Sequence, residues 1–150
     1  MKSSDYEKEL AFEKQIAKAV HKKQVDKSGI DYFEHVKIVG EAGETIKEKI
    51  IGYLHDVVED SEISFVDLAD YGFPNDILNA IDAITCRKDE SWRKYIQRVS
   101  ENSIATKVKL NDLKHNSDLS RIGTPNKADL SRQKKYQKAI AILLAKQAAH

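Results

Sequence analysis

Apolar residues in this chain of 150 return at intervals of three and four, and no stretch alternates at period two for long enough to make a half-buried strand. That regularity restricts the fold to packed helices. Six glycines and two prolines are too few for the turn-rich connections of a sandwich or barrel, and they stand mostly at the joints of the helical pattern. A first helix is expected from about Asp5 to Gln24, with Leu10, Ile16 and Val20 inward, breaking near Lys27-Ser28-Gly29. Asp31, with Glu34 three residues on, has the form of a capping box for a short helix that ends around Gly40 and Gly43.

The next helix is expected from about Glu44 to Glu59. Ser64 with Asp67 reads as a second cap, and Pro74 marks the start of a helix running to about Ile84. Shorter helices follow near 91–100 and 102–116. Gly123-Thr124-Pro125 offers a stop, an N-cap and a first-turn proline for a last helix, roughly 125–148. The expectation is one all-α domain spanning residues 1–150, with roughly seven or eight helices.

Charge excludes some partners. Lys plus Arg (25) nearly balances Asp plus Glu (24), so no global field draws in nucleic acid or an anionic membrane. The lysine-rich stretches HKKQVDK and RQKKYQK read as solvated helix ends, with nucleic-acid binding the weaker alternative. Cys86 is the single cysteine, which leaves no intrachain disulfide and no cysteine-rich zinc site. The opening MKSSDYEKEL has no signal-like apolar core, and no stretch approaches the roughly 18 apolar residues of a membrane span. A cytoplasmic protein acting on a small molecule is the expectation. The apolar tail AIAILLAKQAA reads as packing on its own core, and the oligomeric state stays open.

Chemistry concentrates in three places. In LHDVVED, a helix sets His55, Asp56, Glu59 and Asp60 on one arc, opposite Leu54, Val57 and Val58. Gly52 falls in that polar arc one turn back, where glycine costs about 1 kcal/mol relative to alanine, so it is expected to make room for something. In SIATKVKLNDLKHN, the stripe Ile104, Ala105, Val108 continues to Asp112, His115 and Asn116, which turns Asp112 toward the core. A buried carboxylate must be neutralised, hydrogen-bonded or bound to a cation. In DYFEHVKIV, His35 flanks the stripe Tyr32, Phe33, Val36 and Val39. A solvated polar face, an Asp112 salt bridge to a nearby Lys or Arg and an ordinary core histidine explain the three separately. Together they supply two imidazoles and two carboxylates, a mixed set suited to Mn²⁺, Fe²⁺ or Zn²⁺.

The order of these features resembles the HD-domain phosphohydrolases: a His after Ser-Gly-x-x-Tyr, a His-Asp pair in LHDVVED, and an Asp in VKLNDLKHN. More narrowly, it resembles their alarmone branch, the (p)ppGpp hydrolase half of Rel/SpoT enzymes and its small stand-alone relatives. The resemblance covers most of the chain and implies a single HD-domain helical bundle. It implies His35, His55, Asp56 and Asp112 as metal ligands, Mn²⁺ as the usual ion, and Glu59 and Asp60 as the pair that handles the attacking water. It also implies Lys27, Lys88, Asn116, Arg132 and Tyr136 at or near positions that contact the nucleotide and its phosphates. The expected reaction is release of pyrophosphate from the 3′ position of (p)ppGpp or a related nucleotide. The alternative is a metal-stabilised helical module that turns nothing over.

Two positions depart from the family. Asp26-Lys27 stands where Arg-Lys is common, replacing a cation that stacks on guanine with an acid that repels phosphate. Val36 stands where proline commonly follows the first metal histidine. The metal set is intact while the base-reading position is altered, so hydrolysis is better supported than the alarmone itself.

Overall fold

The computed structural model describes residues 10, 11, 14, 16, 32–60, 63–121 and 123–149, with the side chains of Tyr32, Phe33, Asp60 and Arg121 outside that set. Helices run Tyr32–Glu41 (α1), Ile46–Leu54 (α2), Val57–Asp60 (α3), Phe65–Tyr71 (α4), Asn75–Ile84 (α5), Trp92–Ser100 (α6), Ser103–Asn116 (α7) and Lys127–Ala148 (α8), with a 3-10 turn at Leu119–Arg121. Among the described residues no strand occurs, so the all-α expectation holds. The expected Asp31 cap lies outside the described residues. So does most of the first expected helix, of which Leu10, Ala11, Lys14 and Ile16 are described, all helical.

Side-chain caps set most of the boundaries. Thr45 accepts from the Glu48 amide, Ser91 from Lys94 and Asn102 from Ala105, each satisfying one of the amides a helix start leaves open. The Ser64–Asp67 pair is a complete capping box for α4, which ends on Gly72 at φ 103°, a left-handed conformation that glycine adopts without strain. Pro74 caps α5 and the helix stops at Ile84, as expected. The last helix departs from expectation. Its cap is Asn126, reciprocally bonded with Asp129, and not Thr124 followed by Pro125. The Asn126–Asp129 spacing satisfies two backbone amides at once, more than the proline one residue earlier can supply.

The expected helix from Glu44 to Glu59 also proves to be two. α2 stops at Leu54, and His55-Asp56 form a turn before the single turn of α3. The cause is local: His55 Nδ1 reaches the Gly52 carbonyl at 2.5 Å, the acceptor that a continuing helix reserves for the Asp56 amide.

α7 runs through the middle, packed against α1, α2, α5, α6 and α8. Ala105, Val108, Leu110 and Leu113 are all buried, so the helix is covered on more than the one stripe read from sequence. Ile50, Ile51 and Leu54 of α2 are fully buried against it, each contributing about 1.5–3 kcal/mol of burial. The crossing of α1 and α2 explains Gly52. A Cβ there would lie 2.7 Å from Gly40 Cα, and one at Gly40 would lie 2.5 Å from the Tyr53 ring. The room left by Gly52 is therefore filled by the backbone of α1, and not by a ligand. This crossing brings the helix that carries His35 against the helix that ends in His55.

Candidate metal centre

α1 contributes His35, the turn after α2 contributes His55 and Asp56, and α7 contributes Asp112. His35 and His55 are each 2% exposed, and their ring centres lie 5.7 Å apart in an edge-on arrangement. One ligand atom each from His35, His55 and Asp56 can be drawn within 4.8 Å of one another. Asp112, also buried, places Oδ1 2.9 Å from His35 Nε2 and 3.3 Å from His55 Nε2. The four ligands expected from sequence therefore converge. Asp112 also pairs with a lysine, since its other oxygen, Oδ2, lies 2.9 Å from Lys109 Nζ. Asn116 Nδ2 donates to Asp112 Oδ1 at 3.1 Å, which puts that expected residue at the cluster as well.

The tautomer of His55 decides what the cluster can do. Nδ1–H donates to the Gly52 carbonyl, so in the neutral ring Nε2 carries the lone pair. That Nε2 is buried 3.1 Å from Asp56 Oδ2 and 3.3 Å from Asp112 Oδ1, but no hydrogen bond to either satisfies it. Buried polar atoms are nearly always satisfied, and this one faces carboxylate oxygens that only accept. A second ring proton closes the cluster when no ion is bound, and a cation takes the lone pair when one is. A divalent cation reconciles those groups. Backbone support of the ring nitrogen remote from the ion is the usual way a ligating histidine is oriented. The donor set of imidazole nitrogen and carboxylate oxygen fits a borderline divalent ion.

Charge in the cluster is tightly linked. Burial alone would lower the His55 pKa, but the Asp56 and Asp112 charges lift it well above 6.5. Burial alone would raise Asp112, yet the Lys109 ammonium and the histidines hold it well below the ordinary carboxylate value. Lys109 is in turn held charged, its burial outweighed by Asp112.

The remaining expected residues are less concentrated. Glu59 sits on α3, and its Oε1 accepts from the Cys86 amide at 2.7 Å, tying that helix to the loop after α5. The Asp60 side chain and all of Lys27 lie outside the described residues. Lys88 is exposed in the loop between α5 and α6. Arg132 is paired with Asp129 on α8. Tyr136 is half-buried with its ring 6.0 Å from that of Trp92. Its hydroxyl pKa is raised, first by burial and then by the Asp112 charge.

Two participants were not assigned from sequence. His115 stacks on His35 at 4.8 Å between ring centres, with the two Nδ1 atoms 2.5 Å apart. One ring must donate and the other accept; His35 Nε2 donates to Asp112 Oδ1 when Nδ1 accepts from His115, and offers a lone pair to the centre when Nδ1 carries the proton. The signal was present, since His115 falls on the Asp112 face. Lys109 was signalled too, as the basic residue three positions before an inward-facing acid.

No family model matches the sequence. The fold does match a solved metazoan orthologue of SpoT, which hydrolyses ppGpp and plays a role in starvation responses. The two share 22% sequence identity with a TM-score of 0.74, over 91% of this chain and 85% of that one. The two chains thus share a helical fold, and in this one the helices bring His35, His55, Asp56 and Asp112 together.

Proposed function

We propose that the chain is a metal-dependent phosphohydrolase of the HD type acting on a nucleotide, with 3′-pyrophosphate release from (p)ppGpp or a close relative as the reaction. The observation that carries this reading is the buried, unsatisfied His55 Nε2 facing two carboxylates, in a fold shared with a ppGpp hydrolase. His35, His55, Asp56 and Asp112 would hold the ion, with Mn²⁺ first and Fe²⁺ or Zn²⁺ as alternatives. When bound, such an ion supplies Lewis acidity for water activation and for polarising a phosphoryl oxygen.

The chain's own groups account for the other roles. Glu59 and Asp60 take the proton of the attacking water and return it to the leaving group. The contact between Glu59 Oε1 and the Cys86 amide fixes where that carboxylate points. Asn116 steadies Asp112 and presents its amide beside the centre. Lys27, Lys88 and Arg132 offset phosphate charge, the arginine after exchanging its Asp129 partner for substrate, and Tyr136 packs beside the nucleotide. Asp26 removes the expected cationic stacking surface for guanine, so the base is read differently here. Among the described residues no helix is long and apolar enough to cross a membrane.

The test is Mn²⁺-dependent release of pyrophosphate or phosphate from purified protein, screened across ppGpp and other guanine and nicotinamide nucleotides. Pyrophosphate from ppGpp supports the full reading, whereas product only from another nucleotide keeps the chemistry and rejects the alarmone. Glu59→Gln separates catalysis from a non-catalytic module. Metal retained with turnover lost identifies an enzyme, and a protein inert before and after the change identifies the module.

A further inference from the structure

Lys109 takes no part in the chemistry just described, yet its side chain is only 12% exposed. Its ammonium sits 2.9 Å from Asp112 Oδ2, 5.2 Å from the centre of the Tyr95 ring and 5.7 Å from that of Trp92. Burying an ammonium costs several kcal/mol, which the contacts with the two ring faces offset only in part. Its position relative to Asp112 gives it a use. Asp112 is divided between two surroundings: Oδ2 faces Lys109, while Oδ1 faces His35 Nε2, His55 Nε2 and the Asn116 amide. With Oδ2 held by the ammonium, one oxygen is turned toward the imidazoles. With Lys109 included, the two carboxylates of the cluster carry one net negative charge in place of two.

We infer that Lys109 is a resident counter-ion of the metal centre, a positioning residue that acts through Asp112. It carries part of the balancing charge when no ion is bound, and it confines Asp112 to a single ligand oxygen when one is. Both effects keep the empty site foldable and make ion binding weaker than the donor set alone would allow. This rests on the metal reading above.

The experiment measures melting temperature in chelator and in saturating Mn²⁺, with Mn²⁺ affinity by calorimetry, for the native protein, K109M, K109Q and K109R. K109M is expected to lose far more stability in chelator than in Mn²⁺, so that the Mn²⁺-induced rise widens. Its Mn²⁺ affinity is expected to increase about tenfold or more. K109Q, which keeps a donor toward Oδ2 without the charge, follows K109M, and carries the test should K109M not fold. K109R, which keeps the cation, stays near the native values. Equal losses in both conditions, or weakened Mn²⁺ affinity in K109M and K109Q, would overturn the counter-ion role and leave Lys109 a structural pair. A native protein with no Mn²⁺ response would instead remove the metal reading, and this inference with it.

Discussion

Two polar clusters lie in the same bundle, and they end differently. Around Arg98 every valence closes. The guanidinium binds both oxygens of Glu90 at 2.7 and 2.8 Å and donates to the Asp82 and Thr85 carbonyls, each at 2.7 Å, sealing the end of α5 against α6. Around His55 the geometry converges just as closely but stops short, leaving Nε2 unsatisfied beside two carboxylates. Both are charged, both are largely shielded from solvent, and both perturb the acids within them. The Arg98 cluster completes its own hydrogen bonds, while the His55 nitrogen and its two carboxylates need a proton or a cation between them to close.

The largest expected effect breaks the open cluster. Asp56→Asn removes a ligand charge and should lower metal-dependent hydrolysis on the order of 10³-fold or more, with the helical content by circular dichroism unchanged. The same assay on Arg98→Met should show the converse. Here the fold loses about 2–4 kcal/mol in urea denaturation, because Glu90 and the carbonyls lose their donor, while turnover per folded molecule stays native. A fall in turnover for Arg98→Met equal to that for Asp56→Asn would erase the distinction between the clusters.

A smaller effect comes from acid. The Arg98 hydrogen bonds hold the Glu90 pKa at about 2, against an ordinary 4.5. A depressed acid contributes stability that is fully present above the unfolded value and is lost as pH falls from about 4.5 toward 2. Glu90→Gln should therefore cost about 1–2 kcal/mol at neutral pH, with the gap to the native protein closing across that window in pH-dependent denaturation. A difference that stays constant from pH 7 to 2 would mean that the pair contributes shape and not charge.

Much of the scaffold could be read from residue order. The Ser64–Asp67 box, the start after Pro74 and the spans near 92–100 and 103–116 depend on neighbours within a few positions, which is the range sequence reports well. The errors share one origin. The break at His55 comes from a side chain taking a backbone acceptor, and the use of Gly52 comes from a helix twelve residues earlier in the chain. Neither is visible from periodicity. Among the site residues, His35 and Asp112 could be proposed because each borders or continues an apolar stripe, and His55 and Asp56 because they share one polar arc in a motif order that resembles the HD hydrolases. Lys109 and His115 were marked by their spacing from Asp112, but their roles are set by atoms on the far side of those ligands. Arg132 and Lys88 show the opposite case: their charge is plain in the sequence, while its target is not.

The glycine crossing has a mechanical consequence. Because Gly40 and Gly52 let two backbones touch, the spacing between the shelf that holds His35 and the one that ends in His55 is set by main-chain bulk, which does not change rotamer. Adding a single methyl group at position 52 acts as a wedge under one end of a lever, since it meets Gly40 Cα at 2.7 Å and the displacement is carried along α1 toward the imidazole five residues away. The calibration of the centre thus resides in the absence of two side chains, one of them from the residue whose carbonyl holds the His55 ring.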